Sequence, residues 1–147
     1  MDQVFDDTFY MKKALDEAQT ALEKGEVPVG VVVVAKNTVI ARAYNLTEAL
    51  IDVTAHAEMQ AITAAANTIG GKYLLGCTLY VTLEPCSMCA GALYWSQISR
   101  VVFAASDPKR GYREQGTLLH PKTAVSYGVL AHEASALLHR FFQQKRD

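Results

Sequence analysis

Two short segments carry most of the reactive side chains in this sequence, Thr54-Ala55-His56-Ala57-Glu58 and Glu84-Pro85-Cys86-Ser87-Met88-Cys89. Cys86 and Cys89 are three residues apart, a spacing that sets two side chains on one face of a helix, where they can share a metal ion. His56 can add a nitrogen. A Cys2His set gives three protein ligands. Closed structural zinc sites use four, and three ligands with one open position is the catalytic pattern. Glu58 follows His56 by two residues, about 200° around a helix. It therefore lies off the ligand face and beside the open position, where it could accept a proton from bound water and pass it on. A lone C-x-x-C also suits a structural or redox site, but a thioredoxin-like site has no need of His56 and Glu58.

The elements that must position these groups are legible as alternating periodicities. Met11, Leu15, Ala18 and Leu22 share one helical face, with Asp6 or Asp7 as N-cap and Gly25 as the stop. Val29–Ala35 reads as a buried strand, Asn37 as part of a turn and Thr38–Ala43 as the returning strand of a hairpin. A second helix is expected over about Thr54–Asn67, ended by Gly70-Gly71. A strand follows at Thr78–Leu83, and then a third helix from Pro85, at its first position, to about Ser96. Val101–Ala105 is a short strand and 106–123 a long loop with room for a short helix. A last strand over Val125–Val129 leads into a final helix, Leu130–Gln144. The buried side of that helix is expected to carry Ala134, Leu137, Leu138, Phe141 and Phe142. The order predicts an α/β fold: a sheet covered on both faces, with parallel crossovers after the first hairpin. Both reactive segments open helices, on the sheet edge where ligands bind in such folds. Helix N-termini also favour thiolates.

Length and composition bound the rest. A chain of 147 residues, half of them apolar, suits one domain over 1–147, with no repeat or linker that would divide it. The acidic opening MDQVFDDTFY has no apolar stretch of a secretory signal, and the run Val29–Ala35 is far short of the ~20 residues that span a bilayer. With three cysteines, a disulfide framework is not expected, and the reading is a cytoplasmic protein without a membrane partner. Charge is uneven: residues 1–99 hold 6 Lys/Arg and 11 Asp/Glu, and residues 100–147 hold 8 and 4. Lys109, Arg110 and Arg113 in the loop, with Arg140, Lys145 and Arg146 near the end, are cations that could meet a polyanion.

H-x-E followed by P-C-x-x-C is the zinc-dependent nucleobase deaminase signature. The stretches Gly25–Gly30, Tyr44-Asn45, Thr54–Glu58, Leu79–Cys86 and Met88–Ala92 resemble the bacterial tRNA-specific adenosine deaminase family. So do Arg100–Phe103, Asp107 with Lys109, Gly128–Ala131 with Glu133, and Phe141-Phe142. The resemblance runs from about Phe9 onward. It implies a three-layer α/β/α cytidine deaminase-like fold around a mixed sheet of about five strands. It further implies a homodimer and one Zn2+ per chain on His56, Cys86 and Cys89. The implied reaction is hydrolytic conversion of adenosine to inosine at the wobble position of a tRNA anticodon, with attack at C6 of adenine and Glu58 shuttling protons to the ring and to the leaving ammonia. In the same resemblance Asn45 hydrogen-bonds the base, Val29 lines its pocket, the Ala57 backbone meets its edge, and Asp107 and Lys109 contact the anticodon loop. The chain departs from the family pattern at Trp95-Ser96-Gln97 and over Arg110–Gln115, and these departures bear on how RNA is held.

Other readings belong beside these. Cys77 is expected as a buried apolar-like thiol, and His120, His132 and His139 in surface or capping roles. Glu84 is expected as a helix-start residue, Phe141 and Phe142 as core, and Trp95 as core or dimer packing. A deaminase of free bases or nucleosides, such as guanine or cytosine, would use the same reactive residues. A zinc-stabilised interaction module without catalysis would instead need a fourth protein ligand and no Glu58.

Overall fold

The computed structural model describes residues 5–146, and the side chain of Arg146 lies outside the described residues. Helix α1 (Asp7–Glu23) starts where the Asp6 carboxylate accepts the Phe9 N–H at 2.9 Å. Its apolar face (Tyr10, Met11, Ala14, Ala18, Ala21, Leu22) is buried. Strands β1 (Gly30–Ala35) and β2 (Thr38–Tyr44) form the expected hairpin. Lys36 and Asn37 both take left-handed φ values, 50° and 60°, the conformation of a two-residue turn that matches strand twist. Then come α2 (Ala57–Ile69), β3 (Cys77–Leu83), α3 (Ser87–Ser96), β4 (Arg100–Ala105), the single turn α4 (Tyr112–Gln115), β5 (Ala124–Tyr127) and α5 (Ala131–Arg146).

The five strands form one mixed sheet in the order β2-β1-β3-β4-β5. β1 is antiparallel to both β2 and β3, and β3, β4 and β5 run parallel. β2 and β3 therefore point the same way, so the crossover through α2 is a parallel one that steps over β1. Alternation along the strands divides the core in two. Val31, Val33, Leu79, Val81, Val101 and Phe103 face α2 and α3. Val32, Val34, Tyr80, Val102 and Ala104 face α1 and α5. The fold is thus the three-layer α/β/α arrangement.

Two helices begin later than the sequence pattern suggests. Asp52 Oδ1 accepts both the N–H and the hydroxyl of Thr54, at 2.8 and 2.7 Å, and Ala55 C=O accepts the Leu46 N–H. This holds 52–56 as a turn, so His56 becomes the N-cap of α2. Pro85 is not the first residue of α3. Its C=O accepts the Tyr112 N–H at 2.9 Å and the next residue pairs with Gly111, so the chain stays extended and Cys86 becomes the N-cap. β5 stops at Tyr127 because Gly128, at φ 93°, turns its N–H toward the Phe103 and Ala104 carbonyls.

One glycine sets how closely α1 sits on the sheet. A Cβ at Gly30 would fall 2.1 Å from the Ala14 carbonyl oxygen and 2.4 Å from the Ala18 nitrogen. Only a hydrogen fits between helix backbone and strand there. Gly30 follows Val29, so this contact also fixes the segment that enters the functional cavity.

Candidate active site

The C-terminal ends of β2, β3 and β4 and the entry to β1 meet at one edge of the sheet, because β1 runs against the other three. A cavity of about 760 Å³ opens at that edge. It is lined by the entry to β1 (Val27, Val29), the exit of β2 (Asn45, Thr47), the start of α2 (His56, Ala57, Glu58) and the exit of β3 (Leu83, Glu84, Cys86). The loop after β4 (Ser106–Arg110) and α5 (Leu138, His139, Phe142, Gln143) complete it.

At the floor, His56 and Cys86 are both N-cap residues, and neither side chain makes a capping hydrogen bond. Forgoing a cap costs about 1 kcal/mol each. The side chains turn toward one another instead. His56 Nδ1 lies 3.6 Å from Cys86 Sγ and 3.6 Å from Cys89 Sγ, and all three donor atoms fall within 4.8 Å of one another. A tetrahedral zinc with Zn–S about 2.3 Å and Zn–N about 2.05 Å requires S···N separations of about 3.6 Å. The group therefore fits one Zn2+. Among the described residues it holds three ligands, not the four of a closed structural site.

The electrostatics agree with that use. A hydrogen bond from the Cys89 thiol is the largest influence holding Cys86 down, to about 4. The same bond, with burial, pushes Cys89 up. The hydrogen bond to Cys86 raises His56. Cys86 thus stands ready as a thiolate, while Cys89 and His56 hold protons that a divalent cation would displace. Glu58 is almost wholly buried at the first turn of α2. Burial, opposed in part by its own backbone N–H, and then the Cys86 charge, push its carboxyl up to about 7. A carboxyl in that range can take and give a proton near neutral pH.

Residues 5–105 match the family described as the cytidine and deoxycytidylate deaminase zinc-binding region. The tRNA-specific adenosine deaminase of Bacillus subtilis (strain 168) is 48% identical, over 95% of this chain and 91% of its own length. That of Aquifex aeolicus (strain VF5) is 46% identical over 95% of each. This chain belongs to the tRNA-specific adenosine deaminase family. A structure solved in work on A-to-I editing by tRNA:A34 deaminases at the wobble position is 41% identical and superposes with a TM-score of 0.81, covering 89% of this chain and 99% of that one. Guanine deaminase from Nitrosomonas europaea superposes with a TM-score of 0.80 at 23% identity, over 95% of this chain and 86% of that one. That is a likeness of fold alone.

Within this deaminase, eight of the nine residues singled out from sequence border the cavity: His56, Glu58, Cys86, Val29, Asn45, Ala57, Asp107 and Lys109. The ninth, Cys89, lies fully buried behind the floor. Asn45 is buried and held by its N–H to the Val29 carbonyl and its side-chain amide to Thr47 Oγ1. Asp107 Oδ1 accepts the N–H groups of Lys109 and Arg110, which turns the rim loop.

Two expectations need correction, for Phe142 and Glu84, and those for Trp95 and Arg113 are narrowed. Phe142 is not core: it is 50% exposed on the cavity wall, while Phe141 is 7% exposed. Adjacent residues on a helix point about 100° apart, and here one ring is buried while the other turns to the cavity. His139 is exposed, as expected of a surface residue, and lies one turn from Gln143 on that wall. Trp95 is 77% exposed, which rules out the core and leaves dimer packing of the two roles expected for it. Glu84 ends the stretch after β3, and its carboxylate anchors the rim loop rather than starting α3. Arg113, offered above as a cation for a polyanion, is engaged with Glu84 and Ser106. Cys77 is buried at the start of β3, in the expected manner.

Proposed function

We propose that this chain is a hydrolytic, zinc-dependent deaminase that converts adenosine to inosine at the wobble position of a tRNA anticodon. The observation that carries the reading is the joining of a His-Cys-Cys floor and a buried carboxyl to a rim that offers cations, in a chain 43–48% identical to several tRNA-specific adenosine deaminases. His56, Cys86 and Cys89 would hold the zinc, which when bound supplies an activated water as nucleophile at neutral pH. Glu58 takes a proton from that water and delivers it to the ring nitrogen as oxygen adds at C6, then takes the proton of the added hydroxyl and gives it to the departing amine as the C6–N bond breaks. Water enters and ammonia leaves, so the base gains an oxygen and loses its exocyclic nitrogen. Asn45 hydrogen-bonds the base, Val29 packs against it, and the Ala57 backbone reads its edge. Asp107 and Lys109 meet the flanking nucleotides.

The single domain over 1–147 is supported by one sheet with helices packed on both faces, including α5, which lies outside the matched 5–105. A homodimer is supported by aromatic surface on and beside α3, where Tyr94 and Trp95 are exposed and the His120 ring lies 5.5 Å from Tyr94. No described helix is long and apolar enough to cross a membrane. A tRNA substrate suits the cytoplasm.

The second reading is a free-base deaminase, favoured by a guanine deaminase structure from Bacillus subtilis at 32% identity and a TM-score of 0.67, covering 76% of this chain. Purified holoenzyme assayed on anticodon stem-loop RNA against free adenosine, guanine and cytosine, reading inosine, xanthine and uracil, decides between them. The tRNA reading expects inosine from the stem-loop, with binding that weakens as salt rises at a log–log slope of about −0.7 per phosphate contact. Faster, salt-insensitive turnover of guanine or cytosine overturns it.

A further inference from the structure

The stretch Arg110–Gln115, on the rim loop, carries a device that the reaction described above does not use. Glu84 sits two residues before the ligand Cys86, with only 2% of its side chain exposed. Oε1 accepts the Asp107 N–H at 3.0 Å and Arg113 Nη2 at 3.0 Å. Oε2 accepts the Arg113 N–H and Nε, each at 3.1 Å. One carboxylate thus pins the backbone at both ends of the loop that bears Lys109 and Arg110. The loop also lies directly on the ligand turn: Tyr112 N–H donates to the Pro85 carbonyl at 2.9 Å, and Gly111 pairs with Cys86. A Cβ on Gly111 would fall 2.3 Å from Glu84 Cδ, so a glycine is required where the loop crosses the carboxylate.

Arg113 is anchored at its guanidinium, although 39% of its side chain is exposed. Nη2 also donates to Ser106 Oγ at 2.8 Å, and the guanidinium lies 4.5 Å from the centre of the Tyr127 ring. That ring stacks on Phe103 at 5.2 Å with planes 10° apart. A guanidinium with two of its nitrogens on one buried carboxylate and its face on an aromatic ring is a fixed strut. Lys109 and Arg110, on the same loop, are exposed at the cavity rim as well.

We infer that the Glu84–Arg113 pair is a positioning device that locks the 106–113 rim loop to the metal-ligand turn, and so fixes the spacing between the reacting base and the phosphates held by the rim. The inference rests on the RNA-deaminase reading for its substrate, but the lock itself is a property of the loop. A rim set at one distance from the floor lets phosphate contacts present the base without an ordering cost at each encounter. Loss of the lock should therefore weaken capture of RNA and leave the chemistry of a bound base alone.

The test uses zinc-loaded Glu84→Gln, Arg113→Met and the double variant. Glu84→Gln keeps the side-chain volume, and Arg113→Met spares the buried carboxylate its two backbone donors, so one of them serves where the other fails to fold. Amide hydrogen exchange at Asp107 and Arg113 should quicken about ten-fold in each, with Ala61–Ala65 of α2 unchanged. KM for the anticodon stem-loop should rise about ten-fold, with kcat within about two-fold and zinc near one per chain. The double variant should be no worse than the poorer single one, because both remove the same contact. If Arg113 is instead a phosphate ligand that Glu84 restrains, Glu84→Gln tightens RNA binding while Arg113→Met weakens it, and the inference falls. It falls as well if loop exchange does not change, or if zinc and kcat drop together. A wild-type protein inert on stem-loop RNA defeats the substrate reading, whereas the exchange measurement still decides the lock.

Discussion

At the floor of the cavity the reactive side chains stand within three residues of a helix start, and each is aimed by its own local backbone. At the rim the working residues come from elements far apart in sequence and are held by side chains reaching across 23 to 29 positions, from Glu84 to Asp107 and to Arg113. The floor is buried and closely spaced: Cys89 is fully inaccessible, Glu58 nearly so, and the three ligand atoms lie within 4.8 Å. The rim is exposed at Lys109, Arg110 and Phe142. The difference teaches that chemistry and substrate choice are separable in this fold. A helix start can supply a metal ligand with little help, but a surface that selects RNA over a free base must be assembled.

The floor gives the largest expected effect. Cys86→Ala or Cys89→Ala removes one of three zinc ligands, so zinc by elemental analysis should fall well below about one per chain. Activity should fall to background, and the melting temperature should drop because metal binding contributes to folding. A metal-poor variant that stays active sinks the zinc assignment. Loss of zinc should also follow acidification of the wild type, since protons compete with the metal for His56 and the two thiolates.

Glu58→Gln comes next. It keeps the shape of the buried side chain and removes the proton acceptor, so kcat should fall by about 10²–10⁴ while zinc content holds. The raised Glu58 carboxyl has a second signature. Its folded value, about 7, exceeds its unfolded value. The folded state therefore binds the proton more tightly, and the metal-stripped protein should lose stability as pH rises from about 4.5 to 7 through this group. Glu58→Gln should flatten that slope, and an unchanged slope would assign the burial penalty elsewhere.

Phe141 and Phe142 put the two kinds of region side by side on one helix. Phe141→Ala opens a cavity under α5 and should cost about 3–5 kcal/mol in urea unfolding. Phe142→Ala removes a half-exposed ring and should cost less than about 1 kcal/mol. Its effect should show on the stem-loop, with KM up about ten-fold, as expected where a base loses an aromatic face. Equal destabilisation by the two substitutions would return Phe142 to the core.

The same division explains what could be read in advance. The convergence of His56, Glu58, Cys86 and Cys89 was legible because spacings of two and three residues at two helix starts set it. The hairpin, the strand alternation and the order of elements were legible because period two and period 3.6 are local. The cavity wall on α5 was not. Leu138, His139, Phe142 and Gln143 look in sequence like the edge of an ordinary apolar stripe, and only docking on the sheet shows which side faces the floor. Glu84 was hidden for a similar reason, since nothing local links it to a residue 29 positions away. Pro85 misled because its missing N–H suits a helix start, while its carbonyl is drawn into a contact with Tyr112 that no local pattern encodes.

The smallest expected effect lies at the opposite edge of the sheet, where β4 begins. Arg100 donates to both Asp7 oxygens, at 2.8 and 2.7 Å, and the Tyr80 hydroxyl adds a third bond at 2.8 Å. This ties α1 to β3 and β4 without touching the cavity. The Arg100 hydrogen bond, working against burial and aided by Tyr80, holds the Asp7 carboxyl below its ordinary value. A carboxyl lowered on folding gives stability that is full above its unfolded value, about 3.9, and is lost as pH falls through the lower folded value. Because the pair is about 30% exposed on each side, solvent screening limits its contribution to about 1 kcal/mol. Asp7→Asn should therefore lower unfolding free energy by about that amount at pH 7, and the gap to wild type should close near pH 2. The variant's kcat and KM on stem-loop RNA should match wild type. A gap that persists undiminished in acid would mean that Asp7 acts through packing alone, and a change in kcat would mean that the far edge of the sheet is not isolated from the floor.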